Sequence, residues 1–272
     1  MKEIAKRVLP EFLLQLVRVI RETGYRMRPT YSGVYASFDD VAKVGGGYED
    51  DEWPATAAQY SRWAIAKNES GFIPAAVSNE TALLPLLISV TRATRILDFG
   101  GATGFSYIAA KYGAMCGINR YVIVDHPKVC ALGRELFKDD LRVEFFERIP
   151  QEQFDLVLIG SALQYVSDYK GLLKTLTDLK PRWILFTKLP AGENVTFVSA
   201  QVNLPGMRFT SWLFNARELV SEMESLNYKL IFRSANEGSV NQEELESKYQ
   251  IGRFCNLLFE ATDSSGEVTD DH

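Results

Sequence analysis

The middle of the chain carries two rhythms of apolar positions. Short, nearly unbroken apolar runs at residues 95–98, 121–125, 142–146, 154–159 and 183–186 predict strands. The run at 154–159 is apolar almost throughout, as a central strand covered on both faces requires. Between the runs the spacing lengthens. Residues 105–112 predict a helix, as do the residues after Pro127, where Val129, Leu132 and Leu136 share a side, and residues 169–179. Pro127 suits a first helical turn, where its missing N–H is orphaned anyway. Strand and helix in alternation imply crossover units and a parallel sheet.

The ends read differently. Ile4, Val8, Phe12, Leu16 and Ile20 form one apolar stripe, a helix over 4–20 that Gly24 ends, with Pro10 a break or a late start. Residues 25–52, with Pro29 and Gly45-Gly46-Gly47, read as irregular chain with a short helix at 39–42. Helices are expected over 53–68 and 80–91. Past the fifth strand, residues 189–213 interrupt the alternation. Asn215 with Glu218 three residues on signals a capped helix over 216–226. Strands at 228–232 and 254–259, joined by a long polar linker, suggest a hairpin with a protruding loop. The expected division is a cap region at 1–80, a catalytic domain at 81–262 and an acidic disordered tail at 263–272.

The composition, with 46 % hydrophobic and 24 % charged residues, suits a soluble enzyme, and the length allows one large core with an appendage or two small domains. The net charge of -5 argues against a nucleic-acid binder, although residues 1–30 hold seven basic against three acidic residues. Three cysteines without metal spacing point to a reducing, cytoplasmic setting and no metal centre. No apolar run approaches a membrane span, and no signal peptide is evident.

The chemistry concentrates at Asp98-Phe99-Gly100-Gly101-Ala102-Thr103-Gly104, a strand end followed by a glycine turn and a helix. Small residues let backbone approach a ligand. Asp125, ending the next strand, can accept hydrogen bonds from the two hydroxyls of a ribose. A nicotinamide cofactor would require G-x-G-x-x-G, and from Gly100 the second and third positions fall on Ala102 and Phe105. A cofactor with a cationic sulfonium and amino group tolerates a looser turn and welcomes carboxylates such as Asp98. A catalytically silent binding or scaffold module with the same turn stands as the second reading.

The run from Asp98 to Gly104 resembles the first motif of class I S-adenosylmethionine-dependent methyltransferases, D-x-G-x-G-x-G, with Ala102 in place of the middle glycine. The resemblance covers about residues 90–235. It implies a Rossmann-like, doubly wound, mostly parallel seven-stranded sheet with an N-terminal helical extension, and S-adenosyl-L-methionine as cofactor. The implied cofactor residues are Asp98, Gly100, Gly101, Ala102, Gly104, Asp125, His126, Glu147, Ser161 and Ala162. Val124-Asp125-His126-Pro127 is similar to the Asp-Leu-Pro run of small-molecule O-methyltransferases, with His126 in place of leucine. Ser32-Gly33-Val34-Tyr35, residues 161–165 and residues 196–201 resemble a bacterial group of methyltransferases associated with surface-polysaccharide genes.

Methyl transfer from a sulfonium needs alignment more than acid–base help. His126 adjoins the ribose acid, which assigns it to lining the adenosine side or capping a helix. The acceptor-side candidates follow strands four and five: Gln164 to orient a hydroxyl or amine, Tyr165 to stack or donate, and Lys188. The absence of an Asn-Pro-Pro-Tyr-like run at 161–165 speaks against nucleobase substrates. Phe197, Trp212, Tyr31, Tyr35 and Trp53 are aromatic candidates for a lid over a small-molecule acceptor, or equally for a homodimer interface.

Overall fold

The computed structural model describes residues 29–42, 44, 52–69, 79–203, 206–236 and 240–262. The expected helix over 4–20, the Gly45-Gly46-Gly47 run and the acidic tail lie outside them.

The main sheet has seven strands: β2 (Arg95–Phe99), β3 (Arg120–Val124), β4 (Val143–Phe146), β5 (Leu156–Gly160), β6 (Trp183–Leu189), β10 (Tyr228–Ala235) and β11 (Cys255–Ala261). Their order is β10-β11-β6-β5-β2-β3-β4. All neighbours from β6 to β4 are parallel, while β11 runs antiparallel to both β6 and β10. Alternate residues feed two cores. Leu97, Val157, Ile184 and Phe259 pack on one face, and Ile96, Tyr121, Leu156 and Leu258 on the other. The fourth strand begins later than its apolar run suggests. Asp155 is taken by another task, since its carboxylate accepts the backbone N–H groups of Thr94 and Arg95 at 2.7 and 2.9 Å and ties the starts of β2 and β5 together.

Helices cover both faces, the doubly wound arrangement expected from the alternating rhythm. On one side lie α1 (Glu52–Glu69), α2 (Asn79–Thr91), α3 (Phe105–Gly113) and α4 (Pro127–Leu136), contributing Ala64, Leu84, Ile88, Ile108 and Cys130. On the other, α5 (Tyr169–Asp178) and α6 (Ala216–Ser225) contribute Leu173, Leu176, Leu219 and Met223. Pro85 does not end α2; the hydroxyl of Ser89 bonds back to its carbonyl at 2.7 Å. Asn215 caps α6 as its spacing predicts, accepting from the N–H of Arg217 and Glu218. The reciprocal half of the box is replaced: Thr196 takes both the Glu218 carboxylate and the Asn215 N–H.

Three expectations are corrected. Residues 31–35 are not irregular but form β1 (Tyr31–Tyr35), and the short helix beyond them is a single 3-10 turn at Phe38–Asp40. The interruption at 189–213 holds three more strands, β7 (Ala191–Gly192), β8 (Phe197–Gln201) and β9 (Phe209–Asn215). Together they build a second sheet in the order β1-β8-β9-β7, with Tyr31 opposite Gln201. Short strands with Ser, Gly and Gln inside them show little alternation, and their pairing partners are remote in the chain. The linker between β10 and β11 does not protrude. Its Leu245 and Ile251 pack on Tyr31, Phe197 and Leu213 of the small sheet. Trp212 anchors that sheet to the main domain, its indole N–H shared by the carbonyls of Val166 and Ser167 at 3.1 and 3.2 Å. None of the described helices is long and apolar enough to cross a membrane.

Candidate active site

The carboxyl ends of β4, β3, β2, β5 and β6 share one rim, and a cavity of about 910 Å³ opens above it. Trp53 of α1 and Gln201 of β8 close its sides. Of the residues singled out in the sequence, Asp98, Gly100, Gly101, Ala102, Asp125, His126, Glu147, Ser161, Ala162, Tyr165 and Lys188 all line it. Gly104 and Gln164 are not among its lining residues.

The glycine turn is built by close approach. Gly100 has φ +72°, and a Cβ there would lie 2.4 Å from the Cβ of Ala162, so the turns after β2 and β5 touch. A Cβ on Gly101 would lie 2.5 Å from Asp98 Oδ2. Gly104 does a different job: it starts α3 at φ +91°, and a Cβ there would strike the Phe137 ring at 2.7 Å.

Asp125 holds this turn. Its Oδ2 accepts the N–H of Ala102 at 2.9 Å, and its Oδ1 accepts that of His126 at 2.7 Å. Burial pushes its carboxyl above the ordinary value, against these two donors. His126 occupies the N-cap position of α4 without a side-chain cap bond, and its Nδ1 is buried with no hydrogen-bond partner.

Asp98 is 1 % exposed. The Tyr121 hydroxyl donates to its Oδ2 at 2.8 Å, while its Oδ1 is buried without a partner. Burial pushes its pKa up to about 7, and the nearby Asp125 charge adds to the rise. The unfolded carboxyl titrates near 4. Between the two values the unfolded chain has lost the proton that the folded chain keeps, so this group's contribution to stability falls as pH rises from about 4 to about 7 and is flat above. Asp98→Asn is expected to remove that slope in urea denaturation at a series of pH values. Asp140, held far below the ordinary range chiefly by the Arg142 guanidinium, titrates beneath this window. An unchanged slope in the variant would refute the assignment.

Left-handed backbone marks the rim. Among described non-glycine residues, Ala102, Ser161 and Lys188 have φ of +49°, +53° and +52°. Arg92, Lys180 and Asn227 share that region just after α2, α5 and α6, where helix ends ordinarily adopt it. The three rim residues lack that excuse, and each costs roughly 1 kcal/mol or more. At Lys188 the conformation is held by Asn256, whose Oδ1 accepts the Lys188 N–H at 3.0 Å.

The 3-10 turn Leu163–Tyr165 splits its two polar side chains. Gln164 is turned inward, 1 % exposed, with its Nε2 donating to Ser161 Oγ at 3.0 Å. Tyr165 reaches the second sheet, and its hydroxyl donates to Gln201 Oε1 at 2.7 Å. Gln201 donates in turn to Asn203 Oδ1 at 2.9 Å.

One contact escaped the sequence reading altogether. Ser61 of α1 and Thr103 of the glycine turn, 0 % and 1 % exposed, share a hydrogen bond of 2.9 Å between their hydroxyls. No local signal pairs them. Ser61→Ala leaves the Thr103 hydroxyl buried and unpaired, and is expected to cost about 1–2 kcal/mol in urea denaturation. Full stability in the variant would show that the pair is incidental.

No protein-family model matches the chain, and no curated protein matches it. Solved structures do. Mitomycin 7-O-methyltransferase MmcR superposes with a TM-score of 0.50 at 14 % identity, covering 79 % of this chain and 59 % of that one. At that identity the likeness is one of fold, a Rossmann-like α/β architecture with a mostly parallel seven-stranded sheet. Two other methyltransferases fall just below that score. The 1,6-didemethyltoxoflavin-N1-methyltransferase of Burkholderia thailandensis has a TM-score of 0.48 at 14 % identity, over 82 % of this chain and 95 % of its own. CcbJ of Streptomyces caelestis has 0.46 at 13 % identity, over 70 % and 91 %. In open α/β sheets ligands bind at the carboxyl ends of the strands, the rim on which this cavity opens.

Proposed function

We propose that the protein transfers a methyl group from S-adenosyl-L-methionine to an oxygen or nitrogen of a small organic acceptor. The observation that carries this reading is the Asp98 carboxyl, buried under the glycine turn at the cavity wall with one oxygen unpartnered. A buried acid in that state is stabilised by a ligand bearing positive charge. The bound cofactor would supply that charge and an activated methyl group.

This chain's own residues do the rest. Gly100, Gly101 and Ala102 keep the wall thin, and Gly104 lets α3 start close behind it. Asp125 has both oxygens oriented by backbone N–H groups and lone pairs left for a ribose diol. His126 and Glu147 line the adenosine side, and Ser161 and Ala162 the stretch between cofactor and acceptor. His126 follows β3, on the diol side, so we assign it no part as a base. Gln164 acts through Ser161 as a positioning residue, and Tyr165 and Lys188 meet the acceptor. Residues 81–262 carry this machinery, and the described residues before them add Trp53 to the cavity wall and β1 to the edge of the inserted strands.

The roomy cavity beside these residues is what transfer requires; a silent module would bind no cofactor, or bind it with the methyl end blocked. Resemblance to methyltransferases associated with surface-polysaccharide genes makes sugars one acceptor class to try. The three free thiols suit a reducing compartment such as the cytoplasm.

Calorimetric titration with S-adenosylmethionine and S-adenosylhomocysteine tests the cofactor, and heat is expected with both. A methyl-release assay against pooled sugar nucleotides, phenols and amines then tests transfer. No heat and no thermal shift with either nucleoside would end this proposal.

A further inference from the structure

Past β6, at the same end of the main sheet, lies a second cavity of about 440 Å³ that shares no lining residue with the first. It sits where β10 ends and β11 begins, with β7 and Ile251 closing it. A cleft of that size holds a small ligand. The proposed methyl transfer makes no use of it.

Its wall collects donors. Arg233 and Arg253 both line it, and no described residue pairs with the Arg253 guanidinium. Arg233 makes its ion pair only at the long distance of 4.0 Å, with Glu193, which also lines the cavity. That carboxylate is engaged at 2.9 Å by Arg217, outside the wall. Ser234 adds a third donor, because the direction of its hydrogen bond is forced. Asn256 Oδ1 accepts the backbone N–H of Lys188 at 3.0 Å, and a backbone N–H can only donate. Asn256 therefore turns its Nδ2 to Ser234, donating to Oγ at 3.0 Å. The proton of the Ser234 hydroxyl is left over, and no described residue takes it. Two guanidinium groups and a spare hydroxyl proton on one wall suit a carboxylate or a phosphate. Accepting oxygens stand on the same wall. Asn194 is 3 % exposed, and its Oδ1 is buried with no hydrogen-bond partner. A Cβ on Gly192 would come 3.1 Å from that oxygen and 2.9 Å from the carbonyl oxygen of Ile251. Gly192 and Ile251 line the cavity, so the bare glycine leaves two acceptors against its wall. Buried polar atoms are seldom left without a partner, and a ligand hydroxyl supplies the proton such an oxygen lacks.

From this arrangement we infer that the second cavity binds a small hydroxylated anion, a sugar phosphate or a sugar acid. Arg233, Arg253 and Ser234 hold its charged group, and Asn194 with the Ile251 carbonyl receives its hydroxyls. The inference stands apart from the methyltransferase reading, since none of these residues lines the first cavity.

The full chain is titrated calorimetrically with glucose 6-phosphate and with glucuronate, and separately with glucose and inorganic phosphate, which carry the hydroxyls or the charge alone. At least one of the two hydroxylated anions is expected to bind tenfold or more tightly than both glucose and inorganic phosphate, and the stronger of the two tells whether the site prefers phosphate or carboxylate. Arg253→Met and Arg233→Met should each weaken that binding tenfold or more, and Arg253→Lys should keep part of it. Circular dichroism should show all three variants folded. No binding of either hydroxylated anion, equal binding of glucose or inorganic phosphate, or an affinity unchanged in both methionine variants would each overturn the inference. Failure of S-adenosylhomocysteine to bind the unaltered protein would remove the methyltransferase reading and leave this one standing.

Discussion

Asp125→Ala is expected to weaken binding of S-adenosylhomocysteine about a hundredfold or more while leaving the sheet folded. Two effects add. On the proposed reading the variant loses the acceptor for a ribose diol, and a hydrogen bond to a charged group contributes roughly 1.5–3 kcal/mol. It also frees the N–H groups of Ala102 and His126, which the carboxylate holds at 2.9 and 2.7 Å, so the glycine turn loses its tether. About 1.4 kcal/mol corresponds to each tenfold. Asp125→Asn separates the two. It keeps the size and one accepting oxygen but presents an amide N–H₂ to one of the two backbone donors, so it should fall between wild type and alanine. Calorimetry measures both variants, and circular dichroism confirms that each is folded. Undiminished affinity in Asp125→Ala would mean the nucleoside sits elsewhere.

Gly100→Ala is expected to be the most damaging single methyl group in the molecule's site. The position has φ +72°, which costs an alanine roughly 1–2 kcal/mol. The new Cβ would also lie 2.4 Å from that of Ala162, and relief of such overpacking costs typically about 1–3 kcal/mol. The total, about 3 kcal/mol, should show in urea denaturation. The turn that moves lines the cavity proposed for the cofactor, so nucleoside binding should weaken as well. Ala162→Gly removes the colliding atom. The double variant should therefore recover about 1 kcal/mol or more relative to the sum of the single changes, a coupling that distant, independent sites do not show. Strict additivity would contradict the close approach of the β2 and β5 turns.

The main sheet was legible because its strands are buried on both faces and so are written as apolar runs, from Ile96-Leu97 to Leu156-Val157-Leu158-Ile159. The glycine turn was legible because backbone angles restrict which residues can stand there, as Gly100 and Gly104 show. The second sheet was not. Tyr31-Ser32-Gly33-Val34-Tyr35 looks like loop until Gln201 is placed opposite Tyr31, and no local pattern encodes a partner that remote. The same holds within the site. Asp98 and Asp125 reach the cavity because each stands at a strand end, a position that the run lengths reveal; Lys188, expected after the fifth strand, reaches it from within β6, which runs on to Leu189. Gln164 does not, because a single 3-10 turn decides which of Gln164 and Tyr165 faces the cavity, and that turn has no periodicity to read. Ser61 and Thr103 lie on elements whose packing only the folded chain defines.

The pairing of β1 with β8 has a bearing on any shortened form of the chain. Trimming to residues 81–262 would strip β1 away and leave the hydrogen-bonding groups of β8 bare along one flank, with Phe197 beside them. Unsheathed strand margins recruit other strands. Such a fragment should clump at concentrations where the whole chain stays monodisperse, and light scattering across a dilution series would register the difference. β1, the first of the described strands, thus has to wait for much later residues before it finds its place, and in the folded chain it sheathes the flank of β8.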